Sequence, residues 1–309
     1  MPVSRRVFLA RGLAAAGAAP ALLAPAGGVL ADLSLGAARL TTVSDGSLTL
    51  PRDFIFGPMP QAELAPILAA HNITGDALTP ECNLALYRDG THTVLFDAGA
   101  GPDFMPSAGQ LLDSLDAAGL TPEEITHVVF THAHPDHIWG VLDDFDDPLF
   151  PDATHMMGRR EWDYWWNPET VDRIGAARAT FAVGARRRME VIEAITEFFD
   201  DGEEILPGIS AVETPGHTPG HMAFELRGGG QGAMIVGDAI GNEHIAFARP
   251  GWESGSDQDM PLAAKSRSQL LDRLASEQMQ IVGFHLPGGG IGRVEKGAPG
   301  EDDYRFVPA

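Results

Sequence analysis

The sequence predicts an α+β protein built as a four-layer αββα sandwich. Three observations lead there. Short strand-like runs fall into two groups, one in each half of the chain, and each group is accompanied by helical stretches. The residues best suited to chemistry sit at the ends of those runs, where loops and not core layers carry side chains into a cleft. The length of 309 residues, with no obvious repeat or linker, suits one large domain with helices covering two stacked sheets.

Taken in order, residues 1–31 are set apart from that domain. Ser4-Arg5-Arg6-Val7-Phe8-Leu9 precedes an uncharged Ala/Leu/Gly stretch that ends in Val29-Leu30-Ala31. A basic start, a weakly hydrophobic segment and a small-residue end predict a cleaved export signal, and the paired arginines make it the twin-arginine type. Pro20, Pro25 and several glycines make the segment a poor membrane helix. The expected location is therefore periplasmic or secreted, with residues 32–309 as a single domain and no stable membrane association once the signal is removed.

Residues 38–50 alternate loosely about Ser44-Asp45-Gly46-Ser47, which predicts a hairpin turn between short strands. A clearer hairpin pairs residues 84–87 with 93–96 across an Asp89-Gly90 turn, and it runs into the small-residue loop Asp97-Ala98-Gly99-Ala100-Gly101. Leu111, Leu112, Leu115 and Ala118 have helical spacing, and Thr121-Pro122-Glu123-Glu124 reads as a capped helix start. Residues 125–130 form a short buried strand, residues 169–198 one or two helices, and residues 209–212, 222–226 and 233–236 further strands. An amphipathic helix over 261–276 and a last strand over 281–284 complete the pattern.

The strand at 125–130 delivers Thr131-His132-Ala133-His134-Pro135-Asp136-His137, three histidines and a carboxylate within six residues. Imidazole and carboxylate are the ligand set of a borderline-soft divalent ion such as Zn²⁺. In extended backbone, residues two apart project to one side, so His132 and His134 converge on one ion while Asp136 and His137 point to a second position. His217, Asp238 and His285 follow at loop positions after or before strands. Seven candidates suffice for two ions that share a bridging carboxylate.

In this order the residues resemble the metallo-β-lactamase fold superfamily, whose signature is H-x-H-x-D-H followed by a histidine, an aspartate and a histidine. The resemblance spans residues 38–295 and fills every ligand position. It implies the sandwich fold, one ion held by His132, His134 and His217, another by Asp136, His137 and His285, and Asp238 bridging them. Asp97 matches the family's structural aspartate. Ser44-Asp45-Gly46, residues 246–250 and the exported start resemble the methyl parathion hydrolase-related branch, with quorum-quenching lactonases as close cousins. Those lactonases place a tyrosine three residues after the bridging aspartate; here that residue is Gly241.

The implied activity is a dinuclear-metal hydrolase, with two Zn²⁺ as the expected ions. A metal-bridging hydroxide would attack a neutral ester, lactone or phosphotriester. Asp136 and Asp238 are the expected catalytic carboxylates. The alternatives are a mononuclear-iron sulfur dioxygenase of the same fold and a non-catalytic metal-binding module. A formal charge of −22 argues against nucleic acid and anionic membranes as partners and favours a small, neutral substrate; self-association is left open. The lone Cys82 excludes an intrachain disulfide and is expected in the core. His92, His127 and His155 are expected to be structural, and His221 to pack beside the site. Arg186-Arg187-Arg188 is expected on a solvated helix face. Trp162, Tyr164, Trp165 and Trp166 form either core beneath a loop or an aromatic pocket wall, and Trp139, Phe54, Phe56, Asn242, Glu243 and His244 are candidates to line the cleft.

Overall fold

The structure, a computed structural model, describes residues 29–298 and 303–309. The predicted leader up to residue 28 lies outside the described residues. Residues 29–31, set aside with it above, instead open the first strand and pair with Val43 and Thr42.

Two seven-stranded sheets are described. The first contains β1 (Val29–Leu35) and β2 (Ala38–Ser47). After the short β3 (Leu50–Pro51), the helices α1 (Arg52–Phe56) and α2 (Gln61–Ala70) and the short β4 (Ala77–Leu78), it continues with β5 (Glu81–Arg88) and β6 (Thr93–Phe96). Helix α3 (Leu111–Ala117), β7 (His127–Phe130), the helical turn α4 (Pro135–Ile138) and β8 (Thr154–Gly158) come next. Helices α5 (Arg159–Trp166), α6 (Thr170–Arg173) and α7 (Ala179–Ile192) precede β9 (Thr196–Phe199), the last strand of this sheet. The second sheet is built from β10 (Glu204–Leu206), β11 (Ile209–Glu213), β12 (Met222–Gly228) and β13 (Gln231–Gly237). Helices α8 (Ile245–Ala248) and α9 (Met260–Glu277) lead to β14 (Gln280–Gly283), β15 (Ile291–Lys296) and β16 (Tyr304–Pro308).

Period-two alternation explains the layering. On β7, Val129 faces a core shared with Phe224, Leu226 and Ile235 of the second sheet, while Val128 and Phe130 face Leu115, Trp162, Trp165 and Met189 of the helices outside. On the far side Met234, Val236 and Ile281 pack against Leu270, Leu271 and Leu274 of α9. Helix, sheet, sheet, helix is the predicted sandwich. Phe224 sits between the sheets with Phe96 and Phe199 at 5.2 and 5.7 Å, so truncating it to alanine should cost about 3–5 kcal/mol.

Three local expectations are corrected. Residues 44–47 do not turn a hairpin; β2 continues through them with an irregular register against β5. The buried Asp45 carboxylate accepts hydrogen bonds from the backbone N–H groups of Ala100, Gly109 and Leu111 and so ties down two loops. Burial lifts its pKa to about 6 against those donors. Thr121 and Glu124 do form a capping box, but it starts only the single turn Pro122–Glu124. Residues 196–198, expected in a helix, belong to β9, where Thr196 and Phe198 suit a pleated strand.

Candidate metal centre

Strand β7 ends at Phe130, and the next seven residues carry four of the seven candidates. His134 keeps extended backbone (φ −70°, ψ 160°), and Pro135 then starts α4, so Asp136 and His137 project from a helical turn. His217 lies between β11 and β12, in a turn set by Gly216 at φ +127°. Asp238 follows β13 and His285 follows β14. The first sheet therefore supplies four candidates and the second supplies three. All seven are buried.

They gather in two groups: His132 with His134 and His217, and Asp136 with His137, Asp238 and His285. In the first, His132 Nε2 lies 3.0 Å from His134 Nδ1, which is 2.9 Å from His217 Nε2. In the second, His285 Nε2 lies 3.2 Å from Asp136 Oδ2 and 3.4 Å from Asp238 Oδ2. Asp238 stands between the groups, with Oδ1 3.3 Å from His137 Nε2 and Oδ2 3.3 Å from His217 Nε2.

The chemistry of this donor set fits divalent cations. Three imidazole nitrogens converge in the first group. In the second, Asp136 Oδ2, His137 Nε2 and Asp238 Oδ1 are buried with no hydrogen-bond partner among the described residues. Unpartnered buried donors and acceptors are costly unless something else satisfies them, and a shared cation does so.

The opposite nitrogens are held by the protein. His132 Nδ1 is 3.0 Å from Thr131 Oγ1, and His134 Nε2 is 3.3 Å from the Gln258 side-chain amide, which accepts from the Tyr164 hydroxyl. His217 Nδ1 donates to Asp257 at 3.0 Å, His137 Nδ1 to Asp97 at 2.8 Å, and His285 Nδ1 to the Glu81 carbonyl at 2.7 Å. Such partners fix the ring orientation and raise ligand basicity. Asp97 also accepts from the Thr131 N–H and hydroxyl, and it adopts the left-handed conformation (φ +66°) to do so. His221 accepts from the Asp238 backbone N–H at 3.0 Å, holding that residue from behind.

Electrostatics divide the cluster. Burial and neighbouring histidines push His132 and His134 well below the ordinary imidazole range, so both are neutral nitrogen donors. Burial opposes charge on His217 as well, but Asp238 and Asp257 outweigh it and lift its pKa to about 9. Asp136, Asp97 and Asp238 likewise raise His137, and Asp238 and Asp136 raise His285. Burial also opposes ionisation of Asp238 and Asp136, yet the surrounding histidines hold both below the usual carboxylate range. Burial, with His217, takes His221 down to about 3. Burial pushes the Cys82 thiol up to about 11, in keeping with its expected core role.

Two cavities open on the centre. The larger, about 350 Å³, reaches Asp238 and His285 and is walled by Leu50, Ile55, Met59, Ile73 and Ile245, with Asn242, Glu243, His244, Asp257 and Arg267 among its polar groups. The smaller, about 90 Å³, touches His134, Asp136, His217, Asp238 and His285 and is walled by Phe54, Phe104 and Phe181, with Arg178 beside them. The candidates Phe54, Asn242, Glu243 and His244 thus do reach the cleft. Phe56 is buried beneath α1 and α2 instead. Trp162 and Trp165 belong to the core, with Tyr164 and Trp166 packed against it. Trp165 also meets the His134 ring edge-on at 5.7 Å, so this aromatic group supports the centre without walling the two cavities that open on it.

The sequence reading missed Asp257, Gln258, Glu161 and Arg178. Asp257 sits in the loop 254–258, where no periodicity marks it, and its place shows only in the fold, where it joins His217 at 3.0 Å and buried Arg267 at 2.6 Å.

Residues 79–285 match the sequence profile described as the metallo-beta-lactamase superfamily. The chain belongs to that superfamily. It is 29% identical over 123 residues to the N-acyl homoserine lactonase AttM of Azorhizobium caulinodans, a match covering 39% of this chain and 43% of that protein. The match thus spans about two-fifths of the lactonase's length. Among solved structures, the dizinc quorum-quenching lactonase AidC, in complex with a product N-hexanoyl-L-homoserine, superposes with a TM-score of 0.84 at 26% identity, covering 93% of this chain and 99% of that one. The hydrolase AbOPH superposes with a TM-score of 0.83 at 25% identity, covering 91% and 97%.

Proposed function

We propose that this superfamily member is a dinuclear-metal hydrolase that opens lactones bearing a hydrophobic substituent, N-acyl homoserine lactones being the leading candidates. The observation that carries the reading is Asp238, whose two oxygens face His217 in one group and His137 in the other. The lactonase AttM and the dizinc lactonase AidC among the similar proteins support the substrate class.

His132, His134 and His217 would hold one ion and Asp136, His137 and His285 the other, with Asp238 shared. Held in this way, a pair of divalent cations, expected to be Zn²⁺, supplies water of lowered pKa and a polarising charge for the carbonyl oxygen. Asp238 would set the spacing of the two positions, since its oxygens face His137 and His217. Asp136 Oδ2 would face the second ion, which leaves the other carboxylate oxygen to pass the proton from the attacking water to the ring oxygen. Addition of water and cleavage of the ring C–O bond then leave a hydroxyl and a carboxylic acid, which ionises and releases its proton to solvent. The two cavities suit a substrate with unlike parts on either side of the reacting bond, since both reach Asp238 and His285. Gly241 offers no side chain to the carbonyl. His244 does line the larger cavity, where burial keeps it neutral, and because its Nδ1 accepts from the Ile245 N–H, its Nε2 carries the proton.

The test is a panel of matched lactone, aryl ester, phosphotriester and β-lactam substrates with zinc-loaded protein, beside Asp238→Asn. Lactone turnover by a protein holding two ions, lost by at least 10²-fold in the variant, is the expected result. Turnover of phosphotriesters alone would overturn the substrate assignment. A single bound iron with oxygen consumption would replace the hydrolase reading with the dioxygenase one.

A further inference from the structure

Glu161 lies in the first turn of α5, is 1% exposed, and has no ion-pair partner among the described residues. Each of its oxygens accepts two hydrogen bonds. Oε1 takes the Ala133 backbone N–H at 3.0 Å and the Trp165 indole N–H at 2.6 Å. Oε2 takes the Thr218 hydroxyl at 2.8 Å and the Gly220 backbone N–H at 3.0 Å. Ala133 stands between His132 and His134, and Thr218 follows His217 directly. One carboxylate therefore binds the two loops that carry all three members of the first ligand group, and those loops come from different sheets.

The contact is close as well as polar. A β-carbon on Gly220 would sit 2.2 Å from the Glu161 backbone nitrogen, so the His217 loop rests directly on the first turn of α5. Trp165, which completes the set of donors, also packs edge-on against the His134 ring. The second ligand group has a separate carboxylate, Asp97, on His137. Each half of the centre thus has a buried acid that belongs to neither cavity.

We propose that Glu161 is a positioning residue for the His132/His134/His217 ion, holding the two ligand loops at the spacing that ion requires while leaving the other position untouched. This rests on the dinuclear reading above. An amide in place of the carboxylate turns one acceptor oxygen into a donor, which faces two donors on that side. The loops then lose their common anchor, although each histidine keeps its own partner.

The test is a stepwise metal titration of the metal-free protein, with Co²⁺ followed by visible absorption and Zn²⁺ followed by chelator competition. His217→Ala and His285→Ala assign the two binding steps. In Glu161→Gln the step that disappears in His217→Ala should weaken by about 10–100-fold, as outer partners of ligands typically do, while the other step moves by less than about threefold. Thr218→Val removes one of the four hydrogen bonds at nearly constant shape, and it should weaken the same step by a smaller factor even if the Glu161 variant folds poorly. Equal weakening of both steps in both variants would mean Glu161 serves only general stability. Unchanged affinities in variants of a protein that binds two ions would overturn the proposal while leaving the dinuclear reading intact. A wild-type protein with a single binding step would overturn both.

Discussion

His155 shows how a single buried group shapes the molecule's response to acid. It lies on β8 with no exposure, stacks on Phe130 at 6.2 Å, and makes no hydrogen bond of good geometry through either ring nitrogen. Burial lowers its pKa to about 4, from about 6.5 in the unfolded chain. Between those values the unfolded state binds the extra proton. The stability His155 allows is therefore fully present above pH 6.5 and is lost as pH falls toward 4, by up to about 3 kcal/mol. His155→Leu removes two poorly satisfied polar atoms at similar volume. It should raise stability by about 1 kcal/mol at pH 7, with a growing advantage over wild type down to pH 4, measured by urea denaturation at each pH. A constant difference between the two proteins across that range would show that His155 does not titrate on unfolding. The sequence classed this histidine as structural, since it stands apart from the H-x-H-x-D-H run. The seven candidates were legible for the converse reason: their residue types and order are dense enough to specify one chemistry. Asp257, Gln258 and Glu161 were not legible. Each acts through neighbours that only the fold brings close, and a lone polar residue in a loop or helix looks the same whether or not the candidate histidines lie near it.

At the level of elements, the turn carrying His217 depends on backbone geometry more than on side chains. Gly216 has φ +127°, and a β-carbon there would meet the Ala263 backbone nitrogen of α9 at 2.2 Å. The same turn is fixed from its other side, because Gln258 and Asp259 donate backbone N–H groups to the Gly216 carbonyl. Gly216→Ala combines a disfavoured conformation with a clash against a helix. It should cost about 1–3 kcal/mol and lower the melting temperature by on the order of 5 °C in calorimetry, with weaker retention of the ion that His217 would hold. An unchanged melting temperature would mean that the turn and α9 separate readily. In the sequence, Pro215 and Gly216 beside His217 are turn formers, in keeping with the loop position expected for that histidine. The strands with clear apolar runs, β5 to β7 and β11 to β14, were legible in the same way. Residues 44–47 were not, because Asp-Gly signals a turn whenever the aspartate is assumed to face solvent, and here Asp45 is itself buried and accepts from three backbone N–H groups. Helices α1 and α2 escaped notice because Pro51, Pro58, Pro60 and Pro66 interrupt the segment, and its apolar residues form a small core of their own over the cleft.

For the molecule as a whole, the centre is a joint between two sheets. The first sheet leads into His132, His134, Asp136 and His137; the second frames His217 and leads into Asp238 and His285. The inter-sheet core around Phe224 holds the layers together along their length, but at this edge the contact is polar and incompletely paired, with Asp136 Oδ2, His137 Nε2 and Asp238 Oδ1 unpartnered. Cations shared across that edge would bind the folded state and not the unfolded one, which lacks the arrangement. At a free ion concentration about 100 times the dissociation constant, each position contributes about 2.7 kcal/mol. Two positions give roughly 5 kcal/mol, or roughly 10–20 °C in melting temperature for a domain of this size. Exhaustive chelation should therefore lower the melting temperature by that amount, and Zn²⁺ should restore it in proportion to occupancy. In Asp238→Asn the restoration should be small, because the carboxylate between His137 and His217 loses its charge. If chelation leaves the melting temperature where it was, the two sheets do not depend on ions at this edge. The five histidines would then be held by their hydrogen-bond partners Thr131, Gln258, Asp97, Asp257 and the Glu81 carbonyl.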